Sequence, residues 1–380
     1  MTTITTGKDA MTVPLLDLGR QHDALMPEFQ RAFEQLVHSG QFILGPFVDR
    51  FEQQLAGYCG VKHAIGVSSG TDALLVALMA LGIGPGDEVI TSPFTFFATA
   101  GTIARVGAKP VFVDINPRTY NMQVESIEGV ITRATKAILP VHLYGLSADM
   151  GAIMEIARAN KLHVIEDAAQ AIGARYKDRH VGTIGDVGCY SFYPSKNLAG
   201  LGDGGACVTN NDDLAKRIRT LRVHGGEPGE VFHHIGGNFR FDAMQAALLS
   251  VKVPHLDKWC DLRRRHADRY ARDLEDLPVT TPFEGPDRHH VYNQYTIRVR
   301  GKGRDPLRHH LDACGVGNRV YYATPLHLQP CFSYLNQRRG SLPNAEAAAD
   351  EVLSIPVFPE MTQQEQDRVV DAFRDFFTAE

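Results

Sequence analysis

The chain has 380 residues, of which 44% are hydrophobic and 22% charged, and its net charge at neutral pH is −5. Length and composition describe a globular protein of one large or two ordinary domains with room for a sizeable core. The mild acidity excludes a global basic field that recruits nucleic acid, and no apolar run approaches the ~20 residues of a membrane span.

Residues 1–12 are polar, lack the apolar core of a signal peptide and read as a loose tail. None of the six cysteines (Cys59, Cys189, Cys207, Cys260, Cys314, Cys331) forms a C-x-x-C pair, and most sit in apolar runs. That suits free thiols in a reducing compartment and predicts a cytoplasmic protein. After an apolar segment, VPLLDL, come helical patterns over 24–38 and 46–58, with Leu25, Phe29, Phe33 and Leu36 at helical spacing. The turn between them, 39–46, is apolar for a loop and is expected to pack under a partner subunit.

Strands and helices then alternate. Strands are predicted over 63–67, 88–92, 109–114, 137–143 and 162–166, and helices over 73–81, 94–106, 124–131 and 148–159. This pattern predicts an α/β fold with a mostly parallel sheet covered on both faces and ligands beyond the carboxyl ends of its strands. Two more strand-like runs, 189–193 and 205–209, flank a loop that carries Lys196 and the glycines 200, 202, 204 and 205. From residue 214 helices dominate, at 242–259 and 263–274. A smaller α+β unit follows, with strands over 292–299 and 319–322 and helices over 305–314, 344–352 and 363–377. We place the boundary near Pro254, giving a large domain of 13–254 and a small one of 255–380. Arg263-Arg264-Arg265 reads as a solvated helix face, and Arg219 and Arg222 are positioned to meet a diphosphate. His63, His142, His224, His233 and His234 show no metal-ligand spacing, so no metal site is assigned.

Three positions carry chemistry. Lys196 lies between apolar strands, and a desolvated lysine keeps a neutral amine that can form a Schiff base. Asp167 ends a buried strand, where α/β proteins keep their reactive groups. Ser68-Ser69-Gly70-Thr71 leaves a strand and opens a helix, where free N–H groups favour an anion. A lysine, an aspartate for a pyridine nitrogen and a glycine-led helix start are together what pyridoxal phosphate requires. The run Gly200-Leu201-Gly202-Asp203-Gly204-Gly205 fits G-x-G-x-x-G, but it leads into a strand rather than a helix and is read as a hairpin-like turn.

The chain resembles the DegT/DnrJ/EryC1/StrS sugar aminotransferases, which are fold-type-I pyridoxal phosphate enzymes. The resemblance rests on DLGRQH, SGQFILGPFVDRFE, HAIGVSSGTDAL, GIGPGDEVI, PVHLYG, VIEDAAQAIGA, SFYPSKNLAGLGDGG, GGNFRFDAMQAAL, PLHLQP and VLSIPVFPE, in this order. It implies a seven-stranded sheet in the large domain. Lys196 would hold the cofactor and move protons, and Asp167 would pair with the pyridine nitrogen. Gln170 would lie near the ring oxygen, and Phe96 would stack on the ring. Gly70, Thr71 and Ser191 would bind the phosphate, joined by Asn238 from the other subunit of a homodimer with shared sites. Arg240 would approach the substrate there. Many relatives read H-Y-P-x-P-L-H where this chain has Tyr321-Tyr322-Ala323-Thr324-Pro325-Leu326-His327, so Tyr321, Tyr322 and His327 join Arg240 as substrate-binding candidates. Some members carry histidine at the lysine position and act as dehydratases; Lys196 argues for transamination. The implied substrates are L-glutamate and a nucleotide-linked keto sugar. SGQFILGP and PLHLQP favour a 3-keto over a 4-keto position. A sugar dehydratase and a non-catalytic sugar-nucleotide-binding protein are the alternatives.

Overall fold

The computed structural model describes residues 11–227, 231–300 and 303–378; most of the expected tail, 1–10, lies outside them. Seven short apolar strands build the central sheet: β1 (His63–Val67), β2 (Glu88–Thr91), β3 (Lys109–Phe112), β4 (Thr135–Leu139), β5 (His163–Asp167), β6 (Val187–Ser191) and β7 (Gly205–Thr209). Their order is β1-β7-β6-β5-β4-β2-β3, and β7 alone runs against the rest. The sheet is therefore mostly parallel, as the alternation of apolar runs requires.

Helices cover it: α1 (Leu18–Ser39), α2 (Pro46–Cys59), α3 (Gly70–Ala80), α4 (Ala98–Arg105), α5 (Met150–Asn160), α6 (Asp212–Arg222) and α7 (Ala243–Lys252). α3 is buried on almost every side, from Ala73 to Leu78, because it packs against α4, α6 and the sheet at once. The remaining chain forms α8 (Leu256–Asp273), α9 (Arg304–Ala313), α10 (Pro343–Glu351) and α11 (Gln363–Thr378) around three antiparallel strands. These are β8 (Val279–Thr280), β9 (Tyr295–Val299) and β10 (Val352–Ile355). Val13 crosses into this second core and packs with Tyr270, Tyr295, Leu307 and Phe373. Among the described residues no helix is long and apolar enough to cross a membrane.

Several elements differ from expectation for physical reasons. The helix predicted over 94–106 begins at Ala98, because Pro93 and the capture of the Phe94 N–H by Ser92 Oγ (3.1 Å) turn the chain first. Residues 124–131 form two 3₁₀ turns, Val124–Ser126 and Glu128–Val130, in a stretch containing Gly129 and four β-branched residues. The helix predicted over 242–259 breaks at Val253–His255, where Pro254 offers no N–H. The strand expected over 319–322 is reduced to one bridge, Arg319 to Ser354; the Tyr321 carbonyl is taken by the Tyr144 hydroxyl instead of a ladder. β10, unforeseen in the sequence, follows α10 directly. Arg263 is 3% exposed and not part of a solvated face; Arg265 is exposed, and Arg264 pairs with Glu284 at 2.7 Å. Arg222 is buried too: its guanidinium meets Glu52 at 2.6 Å and the Gly66 carbonyl at 2.9 Å, so it is not free for a diphosphate.

Gly188 in β6 marks the tightest point of the sheet, since a Cβ there would sit 2.0 Å from the Gly182 carbonyl oxygen. Gly188→Ala should cost about 1–3 kcal/mol, the usual range for overpacking. Gly57, exposed within α2 and with open space around its Cβ position, gives the opposite sign: Gly57→Ala should add about 0.5–1 kcal/mol. Urea midpoints of the two variants check both.

Candidate active site

Asp167 and Ser191 end β5 and β6, and the start of α3 lies against Ser191. Ser69 caps α3 by accepting the Asp72 N–H at 3.0 Å. A Cβ on Gly70 would lie 2.6 Å from Ser191 Cβ, and one on Gly205 would lie 2.4 Å from the Ser69 carbonyl oxygen. Glycine at both positions lets the start of α3 settle onto the strand ends, where its first N–H groups form an anion seat. Gly70, half-buried Thr71 and Ser191 are thus neighbours.

Lys196 stands in the loop 192–204. Its N–H donates to the Tyr193 carbonyl at 2.8 Å, and the loop closes on itself through Phe192 N–H to Gly204 O at 2.8 Å and Gly200 N–H to Phe192 O at 2.7 Å. Asn293 Nδ2 pins the loop by donating to Ser195 O and Asn197 Oδ1, both at 3.2 Å. Taken whole, Lys196 is half-buried, yet protein encloses its amine. Desolvation pulls that amine down to about 8, opposed in part by attraction to the Asp167 carboxylate.

Asp167 is 5% exposed. Its Oδ2 accepts from Thr99 Oγ1 at 2.8 Å and its Oδ1 from the Ala169 N–H at 3.2 Å. Burial raises its pKa, while Thr99, the Ala169 amide, Lys196 and His142 work the other way. The neighbouring Glu166 turns to another set of partners. Burial would raise it too, but His142 (2.9 Å) and the N–H groups of Gly185 (2.6 Å) and Gly182 (2.7 Å) hold it below the usual carboxylate range. His142 Nδ1 accepts the Ala148 N–H at 3.0 Å, so its proton sits on Nε2 and points at Glu166.

Gln170 Oε1 accepts the Tyr144 N–H at 2.8 Å, and its Nε2 donates to the Tyr322 hydroxyl at 2.9 Å. Phe96 is 58% exposed and its ring lies 6.5 Å from that of Tyr322, leaving a face free for stacking. Asn238 is exposed and Arg240 half-buried, on a segment bridged to Val223 and Val67 beside the end of β1. Tyr321 is half-buried. His327 departs from expectation: it is 2% exposed and faces Glu346 at 3.1 Å, so it does not present to a substrate. The sequence reading missed Thr99, Tyr144, Asn293 and the His142–Glu166 pair. Only the four-residue spacing of Thr95 and Thr99, whose hydroxyls lie 3.0 Å apart, offered a signal.

A nucleophilic amine, a buried carboxylate and a glycine-lined anion seat within one strand-end cluster fit pyridoxal phosphate, and with this sheet they define a fold-type-I aminotransferase. The model of the DegT/DnrJ/EryC1/StrS aminotransferase family matches residues 23–374, and the chain belongs to that family. It is 52% identical over 370 residues to a pleiotropic regulatory protein of Geobacillus stearothermophilus, covering 97% of this chain and 99% of that one. It is 44% identical over 364 residues to a UDP-N-acetyl-3-dehydro-α-D-glucosamine 3-aminotransferase of Acidithiobacillus ferrooxidans, covering 95% and 97%. S. venezuelae DesV superposes with a TM-score of 0.94 at 42% identity, over 97% and 99% of the two chains. NtdA from Bacillus subtilis, solved with bound PMP, superposes with a TM-score of 0.90 at 34% identity, over 98% and 87%. Enzymes of this family use pyridoxal phosphate, as the residue trio requires.

The lowered Lys196 pKa sets a pH dependence. Only the neutral amine attacks an aldehyde, so below about 8 its reactivity should rise about ten-fold per pH unit and then level off. Borohydride trapping of an aldehyde on Lys196 in cofactor-free protein, quantified by mass spectrometry, reads this. Capture that keeps climbing to pH 10 would show an ordinary lysine. Thr99→Val removes one of the two donors to Asp167; turnover should fall about ten-fold or more, as for a lost bond to a charged group. Turnover within about two-fold of wild type would leave Thr99 without a part.

Proposed function

We propose that this protein transfers the amino group of L-glutamate to the keto carbon of a nucleotide-linked sugar, with C3 as the aminated position, and that it works as a homodimer with shared sites. The observation that carries the reading is the pairing of an enclosed amine, lowered to about 8, with a buried carboxylate at the ends of adjacent strands. When bound, pyridoxal phosphate supplies an electron sink for negative charge on the substrate carbon. Lys196 Nζ takes the proton from that carbon and returns it, its pKa close to working pH serving both directions. The Asp167 carboxylate holds a proton on the ring nitrogen. Gly70, Thr71 and Ser191 bind the phosphate, Gln170 orients the ring oxygen, and Phe96 covers one ring face.

The name of the A. ferrooxidans relative, an aminotransferase of a 3-dehydro sugar nucleotide, supports the C3 position. Exposed apolar residues support the dimer. Ile43, 65% exposed, bridges to Asp242 beside Met244, while Leu201 donates to Gln245 on the same helix. Asn238 would then complete the phosphate seat across the dimer, and Arg240, Tyr321 and Tyr322 would line the sugar site. Residues 13–254 and 255–380 are read as the large and small domains flanking it.

The regulatory name of the 52% identical relative makes a non-catalytic binding protein the second reading. One experiment separates them. Holoenzyme is titrated with L-glutamate and its absorbance followed. The visible band of lysine-bound cofactor should give way to the near-ultraviolet band of aminated cofactor, with release of 2-oxoglutarate, and Lys196→Ala should abolish both the starting band and turnover. A band that ignores every amino acid would move the reading to a sugar dehydratase. No band after cofactor is supplied would make the binding protein the leading reading.

A further inference from the structure

Thr99 breaks the habit of its own helix. A threonine inside a helix ordinarily returns its hydroxyl proton to a carbonyl of the preceding turn. Thr102 does so in α4, donating to Ala98 O at 2.9 Å. Thr99, one turn earlier, donates instead to Asp167 Oδ2 at 2.8 Å, across 68 residues of sequence. Its other neighbour lies just ahead of the helix, where Thr95 Oγ1 stands 3.0 Å from Thr99 Oγ1.

Counting protons fixes the direction of that second bond. Each hydroxyl has one proton to give. Thr99 gives its proton to Asp167, so Thr95 is the donor between the two threonines. The chain runs from Thr95 to Thr99 to Asp167, with both protons pointing toward the carboxylate. Thr95 is 3% exposed, Thr99 0% and Asp167 5%, so water does not compete along it. Hydrogen bonds linked in a chain polarise one another, and a dry interior strengthens the effect. The bond from Thr95 therefore makes Thr99 a better donor. It also anchors the Thr99 oxygen, because a rotation that carried the hydroxyl back over its own helix would break it. Among the described residues the Thr95 hydroxyl has no other hydrogen-bond partner.

We propose that Thr95 is a positioning residue for the cofactor's ring nitrogen: through Thr99, its hydroxyl keeps the Asp167 carboxylate charged and in place for that nitrogen. In this role Thr95 need not touch cofactor or substrate. A carboxylate that keeps its charge leaves the proton on the ring nitrogen; one deprived of the Thr99 bond draws that proton toward itself. Burial pushes Asp167 in the second direction, and the Thr99 bond opposes it. The inference rests on the pyridoxal phosphate reading above and adds a residue that acts on the ring from two bonds away.

Holoenzyme loaded with pyridoxal phosphate whose ring nitrogen is isotopically labelled tests this, since the magnetic resonance signal of that nitrogen reports whether it carries a proton. Thr95→Val should move the signal from the protonated toward the unprotonated position and lower turnover about two- to ten-fold, the range of one neutral hydrogen bond. Thr95→Ser keeps the hydroxyl and should restore both. Thr99→Val should shift the signal at least as far, and adding Thr95→Val to it should move the signal no further, because Thr95 then has nothing to act through. General loosening of the fold does not produce that pattern. Should Thr95→Val fail to fold, Thr95→Ala decides by the same comparisons. A signal left at the wild-type position by the Thr95 variant, a further shift in the double variant, or Thr95→Ser behaving like Thr95→Val would each overturn the inference. A wild-type protein that forms no lysine-bound cofactor, or whose ring nitrogen is already unprotonated, would overturn the reading beneath it as well; a protonated wild-type ring that no variant disturbs would overturn this inference alone.

Discussion

Everything at the carboxyl edge of the sheet depends on keeping the Asp167 carboxylate dry while leaving it able to ionise. Removing a carboxylate from water is expensive, and among the described residues two donors offset this, Thr99 Oγ1 and the Ala169 N–H. The remainder comes from Lys196, whose positive charge is itself poorly solvated. The two groups thus sit in complementary deficit: each is pushed toward neutrality by burial and pulled back by the other. A cofactor carrying a protonated ring nitrogen and an aldehyde would answer both, the first at Asp167 and the second at Lys196. The same burial that makes the two charges costly makes the cluster selective.

The strand that carries Asp167 also explains its rigidity. Successive side chains on β5 point to opposite faces, so Glu166 turns away from the site when Asp167 turns toward it. Glu166 gathers His142 and the N–H groups of Gly182, Ile184 and Gly185, all within 2.9 Å. A carboxylate that accepts four donors is as well satisfied as a buried charge can be. It anchors β5 from behind, together with the loop that leads into β6. Two adjacent acids therefore divide the labour by face alone: one is satisfied by the fold, and the other is left for chemistry.

What the sequence made legible follows from what is local. Strands were readable because β1 and β7 are near-continuous apolar runs, and the Gly70 turn because strand, serine, glycine and helix follow one another directly. Lys196 and Asp167 were legible together, through a combination that one cofactor explains. Thr99, Asn293 and the His142–Glu166 pair were not, since their meaning lies in contacts 68 to 98 residues apart or in the face a strand turns outward. Arg263 and Arg222 show the commonest failure. A charge on an amphipathic helix reads as solvated, and only tertiary packing reveals that Glu52 encloses one and that backbone carbonyls surround the other. His327, chosen by resemblance, failed because Glu346, nineteen residues downstream, claims its ring.

Tyr144 ties these parts into one frame. Its backbone is left-handed, at φ 59° and ψ 4°, a conformation that costs a non-glycine residue about 1 kcal/mol or more. Such strain persists only where the surroundings over-determine it, and here they do. The N–H goes to Gln170, the carbonyl accepts from the Asn293 N–H at 2.8 Å, and the hydroxyl donates to the Tyr321 carbonyl. Gln170 holds the Tyr322 hydroxyl, Asn293 grips the lysine loop, and Tyr321 packs beside Tyr322. The left-handed turn lets one residue make all three bonds at once. The strained turn holds Gln170, the lysine loop and Tyr321 in a single register, and it places the rigidity of this region in a residue that acts only through its neighbours.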